Sequence, residues 1–204
     1  MHLPQGYSSD SDLLRALQDV STRERAFRDV IQAWQKPLYG HLMRMLGDHE
    51  DAADALQESL VKFVRSLGTF KGESALYSWL HSIASRTALD ALRKRKRDRN
   101  RWGDMALGIH EHNPNDASEA LEQQDGDAWN VWHGHDAWNE ELAMRQLMSA
   151  VMSLPDRQRA VFVLRYFESM PYREMSEFMG VTESTLKALY HHAKTKLLRA
   201  LATS

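Results

Sequence analysis

Apolar residues along this chain recur at three- and four-residue spacings, and the alternating runs that build half-buried strands are almost absent. The pattern predicts an all-α fold. In the segment 22–46, Ala26, Phe27, Val30, Ile31, Trp34, Leu38, Leu42 and Leu46 make one stripe, with Pro37 inside it as an expected kink. Gly47 is placed to end this helix and Asp48 to cap the next. The second helix, about 49–67, turns Ala52, Ala55, Leu56, Leu60, Phe63 and Val64 inward, and Gly68 closes it. After a short loop at 69–73, Ser74 is the expected cap of a long helix to about Arg97, whose stripe is Leu76, Trp79, Leu80, Ile83, Thr87, Ala91 and Leu92.

Further along, helices are expected near 142–153, 157–167, 172–179 and 183–201, separated by Pro155, Pro171 and Gly180. Between the two sets, Asn113-Pro114-Asn115, scattered Gly and Ser, and dense acids interrupt the helical pattern. The chain therefore divides into an N-terminal tail and leading turn (1–21), a first domain of three to four helices (22–98), an acidic flexible linker (99–140) and a second helical domain (141–204).

Composition narrows the function classes. With no cysteine in 204 residues, disulfides and thiolate metal sites are excluded. The first dozen residues lack a basic and apolar leader, and no apolar run is long enough to span a bilayer, so a cytoplasmic protein with no membrane insertion is expected. No phosphate-cradling glycine loop, nucleophile elbow or metalloprotease motif occurs, so neither an enzyme nor a cofactor is expected. The net charge of −2 conceals a block structure: between Arg86 and Arg101 there are eight basic residues against two acids, and between Asp104 and Glu141 ten acids with no Lys or Arg.

Residues 172–187 have the form of a helix-turn-helix, a short helix, a glycine-containing turn and a longer helix. Met175, Phe178, Val181, Leu186, Tyr190, Ala193 and Leu197 can form its shared core, leaving Ser184, Lys187, Ala188, His191 and Lys194 outward. A major groove about 12 Å wide admits one such helix, with polar side chains at base edges and cations on phosphates. In the first domain, Asp51, Asp54 and Glu58 fall on one helix face and present negative charge to a partner.

The segment Asp51-Ala52-Ala53-Asp54-Ala55-Leu56-Gln57-Glu58-Ser59-Leu60 resembles the acidic signature of domain 2 of bacterial sigma factors, and residues 70–80, Phe-Lys-Gly-Glu-Ser-Ala-Leu-Tyr-Ser-Trp-Leu, resemble the segment that follows it there. Residues 154–159, 172–175 and 180–197 are similar to sigma domain 4 in the same order. On these motifs the chain is identified as a member of the sigma-70 family, in the extracytoplasmic-function group of RNA polymerase sigma factors.

The resemblance implies a protein that binds core RNA polymerase and directs promoter recognition, −10 melting and transcription initiation. It assigns Asp51, Asp54, Gln57 and Glu58 to the β′ clamp helices and implies a contact with the β flap as well. It places Lys71, Tyr77, Arg86, Arg93, Lys94, Arg95 and Arg97 at the −10 region of the promoter DNA, where a base is flipped out of the opening duplex. Arg173, Ser184, Thr185, Lys187, His191 and Lys194 fall to the −35 region, and an anti-sigma factor is a further implied partner. Trp79 lies on the apolar stripe and is read as a core residue, while Tyr77 stands between core packing and base stacking. Arg86 stands where the family often has asparagine, Leu189 where it often has arginine, and Ala53 in place of the signature's second acid.

Two other classes compete: an autonomous regulator using the helix-turn-helix with a sensing domain, and a metal-dependent enzyme built on the pairs His110/His112 and His133/His135. The acidic face of 51–58 argues against the first, and no periodicity fixes the geometry needed by the second. Trp129, Trp132 and Trp138 could line one side of a short amphipathic helix, and the acidic stretch 104–141 is complementary in charge to Arg93–Arg101.

Overall fold

A computed structural model describes residues 3–103 and 137–202. The described residues are helical with connecting turns, and the chain divides into two compact units, Met1–Arg101 and Trp102–Ser204.

The first unit begins with a helix where a tail and leading turn were expected. Helix α1 spans Asp10–Gln18: the Ser9 hydroxyl accepts the Asp12 N–H at its start, and Asp10 and Asp12 lie in its first turn, where acids favour the positive end of the helix dipole. Nine residues are too few for a stable isolated helix. Leu13 and Leu17, one turn apart, are fully buried, and burial of such side chains is worth about 1.5–3 kcal/mol each, which offsets that deficit.

Helix α2, Arg23–Leu46, continues through Pro37 and ends at Gly47, whose φ of 69° is the left-handed cap that glycine adopts most readily. The Asp48 carboxylate then accepts the N–H groups of Glu50 and Asp51, starting α3, His49–Ser66. A 3-10 turn over Leu67–Thr69 leads into the loop before α4, Leu76–Gly103. Trp34, Leu38, Leu42, Met45, Phe63, Leu76 and Leu80 form the centre of the core. Polar groups enter it too. His41 is buried, and its Nε2 lies 2.8 Å from the Ser85 hydroxyl. Because that hydroxyl donates to the His81 carbonyl, the proton shared with His41 belongs to the imidazole.

The second unit comprises α5 (Ala137–Met152), α6 (Asp156–Phe162), α7 (Tyr172–Met179) and α8 (Glu183–Ala202). Where one helix was expected over 157–167, α6 widens after Phe162 into a π turn at Val163–Phe167, in which the Glu168 N–H reaches the Val163 carbonyl at 3.3 Å. Ser169 follows with φ of 53°, and the Met170 N–H returns to the Leu164 carbonyl at 3.0 Å. Phe162 is fully buried and stacks against Tyr166 and Tyr190 with centroids at 5.1 and 5.8 Å.

Arg159 is 5% exposed. Its guanidinium pairs with Asp156 at 2.8 Å and donates to the carbonyls of Met152 and Leu154 at the end of α5, so the buried charge is both paired and hydrogen-bonded.

Candidate functional site

The acidic face of α3 is built by the Asp48 cap, which sets the phase of the helix and so the direction of the acids that follow. Asp54, Gln57 and Glu58 are exposed, and Asp51 is half-buried. The structure gives two of these acids partners within the unit. The Asp51 carboxylate is ion-paired with Arg95 of α4, whose other guanidinium nitrogen donates to the Leu46 carbonyl at the end of α2 at 3.3 Å. Glu58 pairs with Lys62 at 2.9 Å, and Lys62 also donates to the Thr87 hydroxyl of α4 at 3.2 Å. Residues assigned from sequence to two different partners, Asp51 to polymerase and Arg95 to DNA, thus hold one another.

The loop between the 3-10 turn and α4 presents Lys71, Gly72, Glu73, Ser74 and Ala75 to solvent. The ring of Phe70 packs on Trp79 at 4.8 Å, and Trp79 packs on Phe63 at 5.5 Å, so Trp79 has the packing role expected of it. Ser74 does not cap α4. The Trp79 N–H bonds to the Ala75 carbonyl, which puts Ala75 at the cap position, and the Leu76 N–H is taken by Asp10 of α1 at 3.2 Å. No local pattern reveals a cap supplied from 66 residues away.

Tyr77 stands edge-on to Trp34 at 5.5 Å and 5.9 Å from His81, which in turn lies 4.0 Å from His41. These contacts give Tyr77 an interior packing role while leaving it half-buried. Along α4, Arg86, Arg93, Lys94 and Arg97 are exposed, with Arg93 paired to Asp90 at 3.0 Å.

In the second unit, α7 ends on Gly180 at φ of 69°, and the Ser176 hydroxyl donates to the Val181 carbonyl, which closes the turn. Thr182 caps α8: its carbonyl accepts the Leu186 N–H and its hydroxyl the Thr185 N–H at 3.3 Å. The hydroxyls of Ser184 and Thr185 both lie about the Thr182 hydroxyl, at 3.0 and 2.9 Å. Met175, Leu186, Ala193 and Leu197 form the buried seam between α7 and α8 and the rest of the unit, as the spacing predicts.

On the outer side, Lys187 lies over the Tyr172 ring at 6.0 Å and Lys194 over the Tyr190 ring at 5.8 Å. Arg173 is exposed beside Glu177 at 3.8 Å, and His191 is half-buried. Burial raises the Tyr166 hydroxyl above the usual phenol value, which keeps this ring neutral in the aromatic cluster. Arg165 was not singled out from sequence; it sits 5.0 Å above Tyr172 and donates to the Met170 carbonyl, bracing the turn before α7.

Residues His110, His112, His133, His135, Trp129 and Trp132, the side chain of Trp138, and the acidic stretch 104–136 lie outside the described residues.

Known proteins match this arrangement over both units. The family model described as Sigma-70 region 2 matches residues 30–98, and that of Sigma-70, region 4 matches residues 144–197. The chain is similar to the RNA polymerase sigma-H factor of Pseudomonas aeruginosa, 28% identical with 87% of each chain covered. It is also similar to the ECF RNA polymerase sigma factor SigX of Bacillus subtilis, 28% identical over 86% of this chain and 83% of that one. Among solved structures, the sigma factor RpoE of Bartonella quintana, crystallised in complex with the anti-sigma factor NepR, has a related fold, with a TM-score of 0.52 at 18% identity, covering 87% of this chain and 98% of that one. Among the described residues no helix is long and apolar enough to cross a membrane. With both regions matched in order, the chain belongs to the sigma-70 family as an extracytoplasmic-function sigma factor, a non-enzymatic subunit that binds RNA polymerase and directs transcription initiation from promoters.

Proposed function

We propose a division of this work between the two units. Residues 22–98 act as domain 2, docking on the β′ clamp helices through Asp51, Asp54, Gln57 and Glu58 and opening the −10 element with the loop at 70–75 and the basic side of α4. Residues 141–204 act as domain 4, contacting the β flap and reading the −35 element with α8, while 99–140 join the two. The observation that carries this reading is the acidic face of α3 together with the exposed loop before α4: a protein that only bound DNA would have no use for that acidic face.

Within domain 2, Lys71, Arg86, Arg93, Lys94, Arg95 and Arg97 serve the DNA backbone, which supplies affinity and salt dependence but no sequence information. Tyr77 acts chiefly through packing, given its edge contact with Trp34. In domain 4, Lys187, Lys194 and Arg173 meet phosphates, and Ser184, Thr185 and His191 face the groove. The solved complex of the Bartonella quintana relative with NepR supports an anti-sigma protein as a third partner, and the protein works in the cytoplasm beside polymerase.

Replacing Asp51 and Asp54 together with lysine tests the docking face. Copurification with core polymerase is expected to be abolished while circular dichroism stays helical; retained binding overturns the assignment. Because Asp51 also holds Arg95, the exchange Asp51→Arg with Arg95→Asp separates the roles: it restores the internal pair and is expected not to restore polymerase binding.

A further inference from the structure

Asp10 stands where two helices begin. It is the first residue of α1, behind the Ser9 cap, and its Oδ2 accepts the N–H of Leu76, the first residue of α4, at 3.2 Å. Ala75, at the cap position of α4, has no side-chain acceptor to offer the N–H groups of that helix's first turn. One half-buried carboxylate therefore lies at the N-terminal ends of two helices at once.

The contact bears directly on the loop between α3 and α4. At its near end the Phe70 N–H bonds to the Leu67 carbonyl at 3.3 Å, and the Phe70 ring rests on Trp79. At its far end Asp10 holds Leu76. Helix α1 also packs on the 3-10 turn that enters the loop, where Leu67 is buried. Between these anchors, Lys71 to Ala75 are exposed, and Gly72 has φ of 75° with open space where a Cβ would point. The loop is thus fixed at both ends and open in the middle, the geometry of a receptor that meets its ligand already ordered. Helix α1 touches both ends.

We propose that Asp10 is a positioning residue for promoter opening: through the Leu76 N–H it holds the loop at 70–75 in the arrangement that captures an unpaired base of the −10 element. This rests on the reading of that loop given above. A pocket for an extruded base must be held to within about 0.5 Å, and a loop released at one end would have to be reordered at each encounter. Asp10 touches no base itself. Asparagine keeps an acceptor at the same place and is as good a cap, whereas alanine removes it.

The test uses the full chain in complex with core polymerase and fork-junction DNA carrying a single-stranded −10 element, either intact or with one base removed at each position in turn. The wild-type protein is expected to lose affinity at the captured position. With Asp10→Ala, affinity for the intact fork is expected to fall on the order of fivefold, the usual size of a lost cap, while affinity for the fork lacking the captured base stays the same. Discrimination then shrinks by that factor. Asp10→Asn restores it, and core binding is unchanged in both variants. An equal loss on both forks, or an Asp10→Asn variant that discriminates no better than Asp10→Ala, overturns the inference, because a purely structural defect would weaken both DNAs alike. A loop variant, Gly72→Val, whose β-branched side chain is disfavoured at a φ of 75° and so distorts the loop itself, separates the two ideas. If it loses discrimination while Asp10→Ala keeps it, the role of Asp10 falls and the loop stands; if the loop variant keeps full discrimination, the reading of the loop falls and the inference with it.

Discussion

Each unit contains an arginine that grips an aspartate and the carbonyls at the end of a preceding helix, and the two clasps differ in what they can do. Arg159 pairs with Asp156 three residues away, the side chains being 6% and 19% exposed, and bonds to Met152 and Leu154. Arg95 pairs with Asp51 across 44 residues of sequence, with the side chains 28% and 43% exposed, and bonds to Leu46. The first lies largely out of solvent, its guanidinium held by a carboxylate and two carbonyls together. The second is open to solvent, where an ion pair is worth little and its members can exchange one partner for another.

The difference predicts opposite consequences for like substitutions. Arg159→Ala is expected to have the largest effect on folding, destabilising the second unit by about 3 kcal/mol because Asp156 and the carbonyls of Met152 and Leu154 lose a guanidinium that lies almost wholly out of solvent. Chemical denaturation of the full chain checks this; a change under about 1 kcal/mol would place Arg159 with the surface pairs. Arg95→Ala is expected to change stability by about 1 kcal/mol or less, yet to weaken promoter binding by the holoenzyme with a lower salt slope. Equal DNA affinity at low salt would leave Arg95 a purely internal clasp. Lys187 supplies the third point of comparison, because an aromatic ring beneath a cation does not cancel its charge. Lys187→Ala is expected to leave folding unchanged and to lower −35 binding uniformly across sequences, with a salt slope smaller by about 1; a loss confined to one base position would make Lys187 a base contact.

What sequence could reveal divides along the same line as the clasps. The signals at Gly47, Asp48 and Gly180 are local, each acting on backbone groups within one turn, and the helix ends fall where those residues predict. The seam of Met175, Leu186, Ala193 and Leu197 follows from helical periodicity alone. Contacts across long sequence separations left no such mark. Asp10 reaches Leu76 and Arg95 reaches Asp51 only once the core has formed, so Ser74 looked like the cap and the two charges looked independent. Helix α1 falls in the expected tail because three leucines in nine residues are too short a run to set a period, and it is the burial of Leu13 and Leu17 that sustains it. His41 and Ser85 are polar residues in the core that hydrophobic patterning passes over, since their partners sit on another helix.

For the site, the residues assigned from sequence lie on the faces that the helical spacing predicts: Asp54, Gln57 and Glu58 outward on α3, and Lys187 outward on α8. Their internal partners could not be foreseen, and they alter what each charge has to give up on binding. Glu58 shares its carboxylate with Lys62, and Asp51 with Arg95, so the negative charge of each is already partly offset within the unit.

The π turn at Val163–Phe167 holds one residue more than a regular helix would use over the same rise. Each residue of an α-helix advances the chain by about 100° around its axis, so deleting that extra residue would let the turn close as regular α-helix with its flanks in register, whereas inserting one would turn everything before it relative to α7. After such an insertion Phe162 would leave Tyr190, and Arg165 would leave Tyr172. Chain length across this turn is therefore constrained in one direction: a second one-residue insertion between Val163 and Phe167 should be tolerated far less well than deletion of one residue there, which leaves a regular helix.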